Sequence, residues 1–288
     1  MKRIALFGGA GAIGKAIGTS IDNNYYEITS FDFIASESFE NFIISKDNIH
    51  SLINKLDEYS YCIIAIQKQS GTKNNLDFEF INTDLPNIIS KKKCFDKIIY
   101  ITTALIDPAI DNDIFSNTVF KGEKMFKENQ KNKNYTIIRP GNLLNKRIPN
   151  YFTKMVNKIK TGKMIFLLGD GSLNIQFTLI GDLANYINFS LKNNTPTQVH
   201  LYSTEKISIE ELISRLKLLV KSDSKIFKIP NFAPLLLLKL FSLFNKNYYP
   251  QIRIRALIKE NISEDNLDGI VKMKQAVDVF TKEYNLID

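Results

Sequence analysis

Apolar residues in the first half of the chain come in short runs rich in β-branched and aromatic side chains, with longer segments of helical spacing between them. After the first run, Ile13, Ala16, Ile17 and Ile21 recur at helical spacing, so residues 3–32 predict one βαβ unit. Such alternation is typical of a parallel sheet covered on both faces. We expect an α/β fold, a Rossmann-type doubly wound parallel sheet. The predicted strands are Arg3–Phe7, Glu27–Phe31, Tyr61–Ile66, Lys97–Thr102 and Thr136–Arg139.

The alternation becomes less regular beyond Pro140. Ser208 and Glu211 form a capping box before an apolar run, which predicts a helix start. We expect a dinucleotide-binding region over residues 1–150 and a smaller mixed substrate region over residues 151–288, interleaved as one compact unit. The predicted later elements are helices near Tyr151–Thr161, Gly181–Leu191 and Ser208–Lys221, and a strand near Val199–Tyr202.

Four glycines fall between positions 8 and 14, directly behind the first predicted strand. Gly9 to Lys15 fits the G-x-x-x-x-G-K pattern of a triphosphate loop, but Ala16 follows where that pattern needs a hydroxyl for Mg²⁺. The alternative spacing, Gly8, Gly11 and Gly14, allows a tight turn and close approach to a pyrophosphate. The phosphate would then lie at the helix N-terminus, near Ala12 and Ile13.

An acidic residue at the end of the second predicted strand supports dinucleotide binding. Asp32 lies 18 residues past Gly14, where a carboxylate accepts hydrogen bonds from the adenosine ribose. The same charge repels a 2′-phosphate, and residues 33–36 offer no Arg or Lys to neutralise one. We therefore expect NAD as the cofactor, with NADP disfavoured, and place Ala65, at the end of the third predicted strand, beside it.

Composition restricts the partners. The formal net charge is +8, but no arginine-rich or aromatic-interleaved stripe is present, so a lysine-rich surface or a phosphate-bearing small molecule is expected rather than nucleic acid. Cys62 and Cys94 lack disulfide or metal spacing, and His50 and His200 lack metal-site partners. These features predict a reducing, cytoplasmic setting without a metal.

The most apolar stretch of the sequence is residues 232–244. It is shorter than the about 20 residues of a membrane span and contains Lys239, so no transmembrane segment is predicted. A packed or lid helix is expected there, with a membrane-surface or dimer contact as alternatives.

Several segments resemble the extended short-chain dehydrogenases/reductases, the NAD-dependent epimerases and dehydratases of nucleotide sugars. Besides the glycine loop and Asp32, the matching segments are Tyr100–Thr103, Ile138–Asn142 and Leu168–Ser172, the last followed by Phe177 and Asp182. The resemblance implies hydride transfer at a sugar carbon of a nucleotide sugar. It places Pro140, Gly141 and Asn142 near the nicotinamide, and assigns Thr103 to orienting the substrate oxygen.

The proton donor of that family has no match in this sequence. No Tyr occurs between Ile101 and Asn134, and aligning Glu123 with the family's glutamate puts Phe115 and Val119 at the Tyr and Lys positions. Lys121 is the nearest substitute, although two residues along a helix turn its side chain to another face. Ile175 and Gln176 replace an expected Arg-Asp pair after the Leu168–Ser172 segment.

Two functions therefore stay open. The first is a nucleotide-sugar epimerase, dehydratase or reductase, with Thr103 and Lys121 as the catalytic candidates. The second is a dinucleotide-binding protein without turnover, serving as a sensor or a structural subunit. A homodimer is compatible with either function.

Overall fold

The computed structural model describes residues 1–67, 78–104, 114–130, 134–144, 151–175, 177–203, 207–230 and 270–273. The chain forms two compact units. The first comprises Met1–Pro140 and Ile180–His200, and the second comprises Gly141–Leu179 and Leu201–Asp288. The predicted division at residue 150, between a cofactor region and a substrate region, concerns function and stays a prediction.

The strands and helices that the sequence predicts by position are all present, and the structure adds further short strands between and after them. A π-helical stretch, Phe80–Asp84, directly precedes the third α-helix. In chain order the elements are β1 (Lys2–Phe7), α1 (Ala12–Ser20), β2 (Tyr26–Asp32), β3 (Glu40–Ile43), α2 (Ile49–Lys55), β4 (Tyr61–Ile64), α3 (Leu85–Ser90), β5 (Lys97–Ile101), α4 (Ile114–Asn129), β6 (Tyr135–Pro140), β7 (Asn142–Leu144), α5 (Tyr151–Lys160), β8 (Ile165–Leu168), β9 (Asn174–Ile175), β10 (Phe177–Leu179), α6 (Ile180–Lys192), β11 (Gln198–Ser203), β12 (Ile207–Ser208), α7 (Ile209–Leu219), β13 (Ile226–Ile229) and β14 (Ile270–Met273).

The central sheet confirms the predicted Rossmann-type α/β class. Its strand order is β14-β11-β6-β5-β4-β1-β2-β3, and the pairs from β6 to β3 are all parallel. Strand β3 is a four-residue edge strand whose side chains are all at least partly exposed, so it lacks the apolar run by which the other strands are predicted.

The core of the first unit explains why its strands are continuous apolar runs. β4 and β5 are buried along their whole length, as is typical of a parallel sheet with helices on both faces. Side chains from one face of the sheet pack with those of α2, α3 and α4, while α1 and α6 pack against each other. Helix α6 therefore belongs to the first unit, although it follows β10 in sequence.

A buried lysine joins β5 to the end of α6. The Lys97 ammonium donates hydrogen bonds to the Ser190 carbonyl at 2.7 Å, the Asn193 carbonyl at 3.0 Å and the Thr195 hydroxyl at 3.0 Å. Burial lowers the pKa of Lys97, because the charged form loses hydration. The three acceptors and the negative end of the α6 dipole compensate for that loss.

The second unit contains three two-stranded sheets and the helices α5 and α7, among its described residues. Its core packs α5 and α7 with β8 and β10. The predicted capping box is present, since the Ser208 hydroxyl accepts a hydrogen bond from the Glu211 N–H at 3.1 Å. No helix in the described part of the chain is long and apolar enough to cross a membrane. Residues 232–244 lie outside the described residues.

Candidate dinucleotide site

The glycine loop lies at the point where the strand order of the sheet reverses. Strand β1 pairs with β2 on one side and with β4 on the other, so the chain leaves β1 in one direction and later returns to its opposite side. In open parallel sheets, ligands bind at the carboxyl ends of the strands beside this switch point. Gly8, Asp32, Ala65 and Thr103 all lie at or just past the carboxyl ends of β1, β2, β4 and β5.

Gly8 makes the tight turn out of β1. Its φ is +99°, a conformation that L side chains rarely adopt, and its N–H donates to the Phe31 carbonyl at 3.0 Å. A Cβ at this position would lie 2.8 Å from the Ala65 carbonyl oxygen. Glycine is therefore required, and the turn brings the end of β4, with Ala65, directly beside the loop.

Gly14 and Gly11 bring the start of α1 close to the same turn. A Cβ on Gly14 would lie 2.2 Å from the Gly8 carbonyl oxygen, so only glycine permits this approach. Gly11 precedes the helix with an extended conformation and no side-chain cap. The first-turn N–H groups, at Ala12 and Ile13, have no acceptor within the helix by geometry, and with the helix dipole they favour an anion.

Asp32 is tied to the glycine loop by its side chain. Asp32 is buried, with 8% of the residue exposed; Oδ2 accepts a hydrogen bond from the Ala10 N–H at 2.9 Å, and Oδ1 accepts one from the Phe33 N–H at 2.7 Å. Each oxygen keeps a lone pair for a further donor such as a ribose hydroxyl. The role of Ala10 has no sequence signal, because it depends on a backbone N–H alone.

The segment that follows Asp32 is held by Asn41 and α1 on one side and is exposed to solvent on the other. The Asn41 side-chain oxygen accepts a hydrogen bond from the Ser36 N–H at 2.6 Å, and its side-chain nitrogen donates one to the Ser36 carbonyl at 2.8 Å. The Phe39 ring packs where a Cβ on Gly18 would be, so α1 also holds this segment. Ile34 is 65% exposed, so an apolar side chain faces solvent directly after the Asp32 strand.

Thr103 follows β5, whose end is fastened to β6. The Thr102 N–H donates to the Ile138 carbonyl at 2.9 Å, and the Ala104 N–H donates to the Pro140 carbonyl at 3.0 Å. Thr103 is half-buried between these two bonds. Its position at the carboxyl edge agrees with the predicted role in orienting a substrate oxygen, which stays a prediction.

Pro140 is the last residue of β6, and the boundary between the units falls directly after it. In the second unit, the Gly141 N–H donates to the Thr178 hydroxyl at 3.0 Å and to the Leu201 carbonyl at 3.2 Å. Asn142 begins β7 and pairs with Phe177. The expected proximity of Pro140, Gly141 and Asn142 to a nicotinamide rests on the family resemblance.

Helix α4 carries the positions at which the proton donor is expected. Val119 is fully buried and Phe115 is half-buried. Lys121 is exposed and forms an ion pair with Glu79, which raises the pKa of the ammonium above its ordinary value. Lys121 therefore stays protonated at neutral pH, and donating its proton requires that the Glu79 pair opens.

Glu123 is buried and paired with basic side chains. Its buried carboxylate pairs with the Lys127 ammonium at 2.8 Å and receives hydrogen bonds from the Arg139 guanidinium. Burial by itself would raise the pKa of Glu123, but the hydrogen bonds and charges of Arg139 and Lys127 outweigh burial and lower it. This cluster joins α4 to β6.

The Leu168–Ser172 segment forms a turn between β8 and β9. Gly169 and Gly171 have φ values of +74° and +83°, and the Asp170 carboxylate accepts hydrogen bonds from the Ser172 N–H and hydroxyl at 2.9 Å and 2.6 Å. Asp182 lies in the first turn of α6, where burial raises its pKa. Gln176 lies outside the described residues.

Together, the sheet order and the geometry of the loop define a Rossmann-type α/β fold. No protein-family model matches the sequence, and no curated protein matches it. The likeness is therefore one of fold, found among solved structures.

Three solved structures illustrate that likeness. UDP-glucuronic acid 4-epimerase from Bacillus cereus, in complex with NAD, has a TM-score of 0.69 and 19% identity over 79% of this chain and 86% of its own. UDP-N-acetylglucosamine 4-epimerase from Methanobrevibacter ruminantium M1, in complex with UDP-N-acetylmuramic acid, has a TM-score of 0.67 and 17% identity over 80% and 85%. A NAD-dependent NDP-hexosamine 5,6-dehydratase has a TM-score of 0.66 and 17% identity over 80% and 84%.

Proposed function

We propose that this protein binds NAD in the glycine loop of its first unit. The observation that carries the proposal is the cradle that Gly8, Gly11 and Gly14 form at the N-terminus of α1, with the Asp32 carboxylate held beside it by the Ala10 N–H. A Cβ on Gly8 or Gly14 would meet backbone oxygen atoms, so the loop can keep this conformation only with glycine at both positions.

The residues of the loop divide between the parts of the cofactor. Backbone N–H groups at Ala12 and Ile13 would hold the pyrophosphate, and Asp32 would accept hydrogen bonds from the adenosine ribose. The Gly11 N–H donates to the Gly8 carbonyl at 3.2 Å, so Gly11 would contribute by leaving space for the pyrophosphate. Ala65 would lie beside the cofactor, and Pro140, Gly141 and Asn142 would lie near the nicotinamide, as the family resemblance implies. The bound cofactor supplies hydride transfer, a reaction that no side chain performs.

We propose further that the substrate is a nucleotide sugar and that the protein is an epimerase, dehydratase or reductase acting at a sugar carbon. The solved structures of this fold include UDP-sugar 4-epimerases, and two segments, Ile138–Asn142 and Leu168–Ser172, resemble segments of the extended short-chain dehydrogenase/reductase family. In this proposal Thr103 orients the substrate oxygen. The proton comes from Lys121, after its pair with Glu79 opens, or from water.

The alternative is a protein that binds NAD without turnover. It is favoured by the two side chains at the expected Tyr and Lys positions, Phe115 and Val119, neither of which carries a transferable proton. A fully buried Val119 has no access to a reacting group. The two functions share the cofactor site and differ only in what happens next, so binding and turnover need separate experiments.

Binding is tested by thermal unfolding with NADH, NADPH or Mg-ATP, for the wild type and Gly11→Val. Gly11 has an ordinary φ, and a Cβ there would lie 3.3 Å from the Gly8 carbonyl oxygen, so valine fills the expected pyrophosphate space with less strain than at Gly14. At about 100 times the dissociation constant, NADH should add about 2.7 kcal/mol to the wild type. Thr19→Val, exposed on the same helix, is the control.

A shift with NADH that Gly11→Val removes and Thr19→Val keeps supports the cofactor proposal. No shift with any nucleotide contradicts it, and a shift with Mg-ATP alone assigns the loop to a triphosphate.

Turnover is tested with NAD and UDP-glucose, UDP-glucuronic acid or UDP-N-acetylglucosamine, following product by chromatography. If the enzyme proposal holds, Thr103→Ala lowers kcat at least about tenfold and Thr103→Ser restores most of it, because the hydroxyl positions the substrate. The kcat of Lys121→Gln is compared with that of Lys124→Gln, which changes another exposed lysine on the same helix. NADH binding without conversion of any of these sugars favours the silent binder.

A further inference from the structure

One face of the two-stranded sheet in the second unit is exposed and apolar. Strands β8 and β13 are parallel, with Phe166 directly opposite Phe227. The neighbours in β8, Ile165 and Leu167, point into the core and are buried, whereas Phe166 is 46% exposed and Phe227 is 57% exposed. Their rings contact each other edge to face at 6.0 Å. Met164, two residues before Phe166, is 48% exposed. We call Met164, Phe166 and Phe227 the aromatic face.

Lysines surround the aromatic face. The Lys158 ammonium lies 5.5 Å from the centre of the Phe166 ring. Lys163 and Lys225 are exposed; Lys225 immediately precedes β13, and Lys163 lies two residues before β8. The local hydrogen bonds bring these positions together, since the Lys163 N–H donates to the Lys158 carbonyl and the Ile165 N–H donates to the Lys225 carbonyl, both at 2.9 Å.

The acidic residues near these strands do not neutralise the lysines. Glu210 forms an ion pair with Lys228 at 2.9 Å, and Lys228 alternates in β13 with Phe227, so this pair belongs to the opposite side of the strand. Asp223 is exposed on the turn between α7 and β13. Among the described residues that flank these two strands, three lysines therefore lie with two carboxylates outside an ion pair, Asp170 and Asp223, and the Asp170 carboxylate accepts hydrogen bonds from Ser172.

We propose that the aromatic face docks on an anionic lipid surface. Aromatic and aliphatic side chains enter the interfacial layer of a bilayer, and lysines around them lie at the level of the headgroups, where anionic lipids attract them. A cluster of exposed apolar side chains marks an interaction site rather than ordinary surface. The binding of a nucleotide in the first unit plays no part in this proposal.

Charge argues against a second copy of the chain as the occupant. In a two-fold symmetric dimer the same patch meets itself, so Lys158, Lys163 and Lys225 would lie against their own copies. A lipid surface instead provides an apolar layer for the rings and negative charge for the ammonium groups at once. An acidic polypeptide provides the charge alone, and it is the second comparison in the test.

The test is sedimentation of the full chain with vesicles of phosphatidylcholine alone or with 30 mol% phosphatidylglycerol, as about 30 mol% anionic lipid gives a membrane a substantial negative surface potential. The charge variant is Lys158→Gln/Lys163→Gln/Lys225→Gln. Its control removes the same charge from exposed positions of the first unit, Lys91→Gln/Lys93→Gln/Lys124→Gln. The apolar variant Phe166→Ser/Phe227→Ser is matched by Phe120→Ser/Phe189→Ser, whose rings are 46% and 52% exposed.

The proposal expects binding to the anionic vesicles only, weakened by salt, and at least about tenfold lower partitioning for both aromatic-face variants, with changes under about twofold for the controls. Thermal unfolding checks that each variant is folded, and the charge variant tests the proposal independently of the Phe substitutions. It is overturned if the wild type does not bind the anionic vesicles, if both charge variants lose binding equally, if polyglutamate binds this face and lipid does not, or if the Phe pair instead mediates self-association.

Discussion

The Asp32 carboxylate and the Ala10 N–H are joined by a hydrogen bond of 2.9 Å, so the acid at the end of β2 holds the loop that follows β1. Asp32 thus has a role in the folded protein before any ligand binds. The second oxygen accepts a hydrogen bond from the Phe33 N–H at 2.7 Å.

Replacing Asp32 with Ala is expected to lower the stability of the protein without cofactor by about 1–3 kcal/mol, because two backbone N–H groups lose their acceptor. It is also expected to remove most of the stabilisation by NADH. Urea unfolding with and without NADH separates the two effects. Glu37→Ala, which changes an exposed acid on the following segment, serves as the control and should do neither. Unchanged stability without NADH would contradict the role assigned to the Ala10 bond.

The side chains at positions 32 and 34 should decide between NADH and NADPH. Asp32→Ser/Ile34→Arg is expected to raise the ratio of NADPH to NADH affinity at least about tenfold over Asp32→Ser, because a guanidinium then faces the 2′-phosphate. Ile34→Arg alone should give a smaller gain, since the Asp32 carboxylate still repels that phosphate. Titration by nicotinamide fluorescence measures each affinity. Equal ratios in all three variants would show that the adenosine ribose lies elsewhere.

Two helical glycines should respond to alanine in opposite ways. A Cβ on Gly122 in α4 would lie 1.9 Å from the Asn82 carbonyl oxygen, so Gly122→Ala must push α4 from the π-helical stretch. We expect a loss of about 2–3 kcal/mol. Gly181, in α6, has nothing within 4 Å of the same position, and alanine there should stabilise by up to about 1 kcal/mol. Urea unfolding of both variants measures the contrast, and similar effects would contradict the close α4 contact.

The cluster of Glu123 with Arg139 and Lys127 should make the stability of the protein depend on pH. The pKa of Glu123 is lower in the folded than in the unfolded protein, so its contribution is present above the unfolded value, about 4.3, and is lost as the pH falls through the folded value. Glu123→Gln should therefore destabilise by about 2 kcal/mol at pH 7 and by less at pH 3. Unfolding at both pH values tests this, with exposed Glu128→Gln as the control. A difference that grows at pH 3 would reverse the sign.

The parts of the fold that the sequence predicts are those with an apolar period of their own. The buried strands β4 and β5 and the helix α1 follow from their patterns, and the S-x-x-E signature at Ser208 correctly predicts the start of α7. The π-helical stretch Phe80–Asp84 has no such signal, because its form goes with the contact of Asn82 with Gly122 on α4.

The residues of the candidate site likewise include some that the sequence predicts and some that it does not. Gly8, Gly14 and Asp32 are predicted from spacing, and the structure shows why each position needs its residue. The partners Ala10 and Asn41 are not predicted, since one acts through its backbone and the other through a segment without regular structure. The ion pair of Lys121 with Glu79 joins residues 42 positions apart, a separation that helical spacing cannot reveal.

The hydrogen bonds of the Lys97 ammonium determine when, during synthesis, the first unit can finish folding. Its acceptors, at Ser190, Asn193 and Thr195, are synthesised about a hundred residues after β5. While the nascent chain is shorter than this, a lysine within a central strand has no carbonyl groups to replace its water, and α1 has no α6 to cover it. The first unit therefore cannot complete its folding during synthesis of its first segment, and becomes native only after residues 180–200 have left the ribosome.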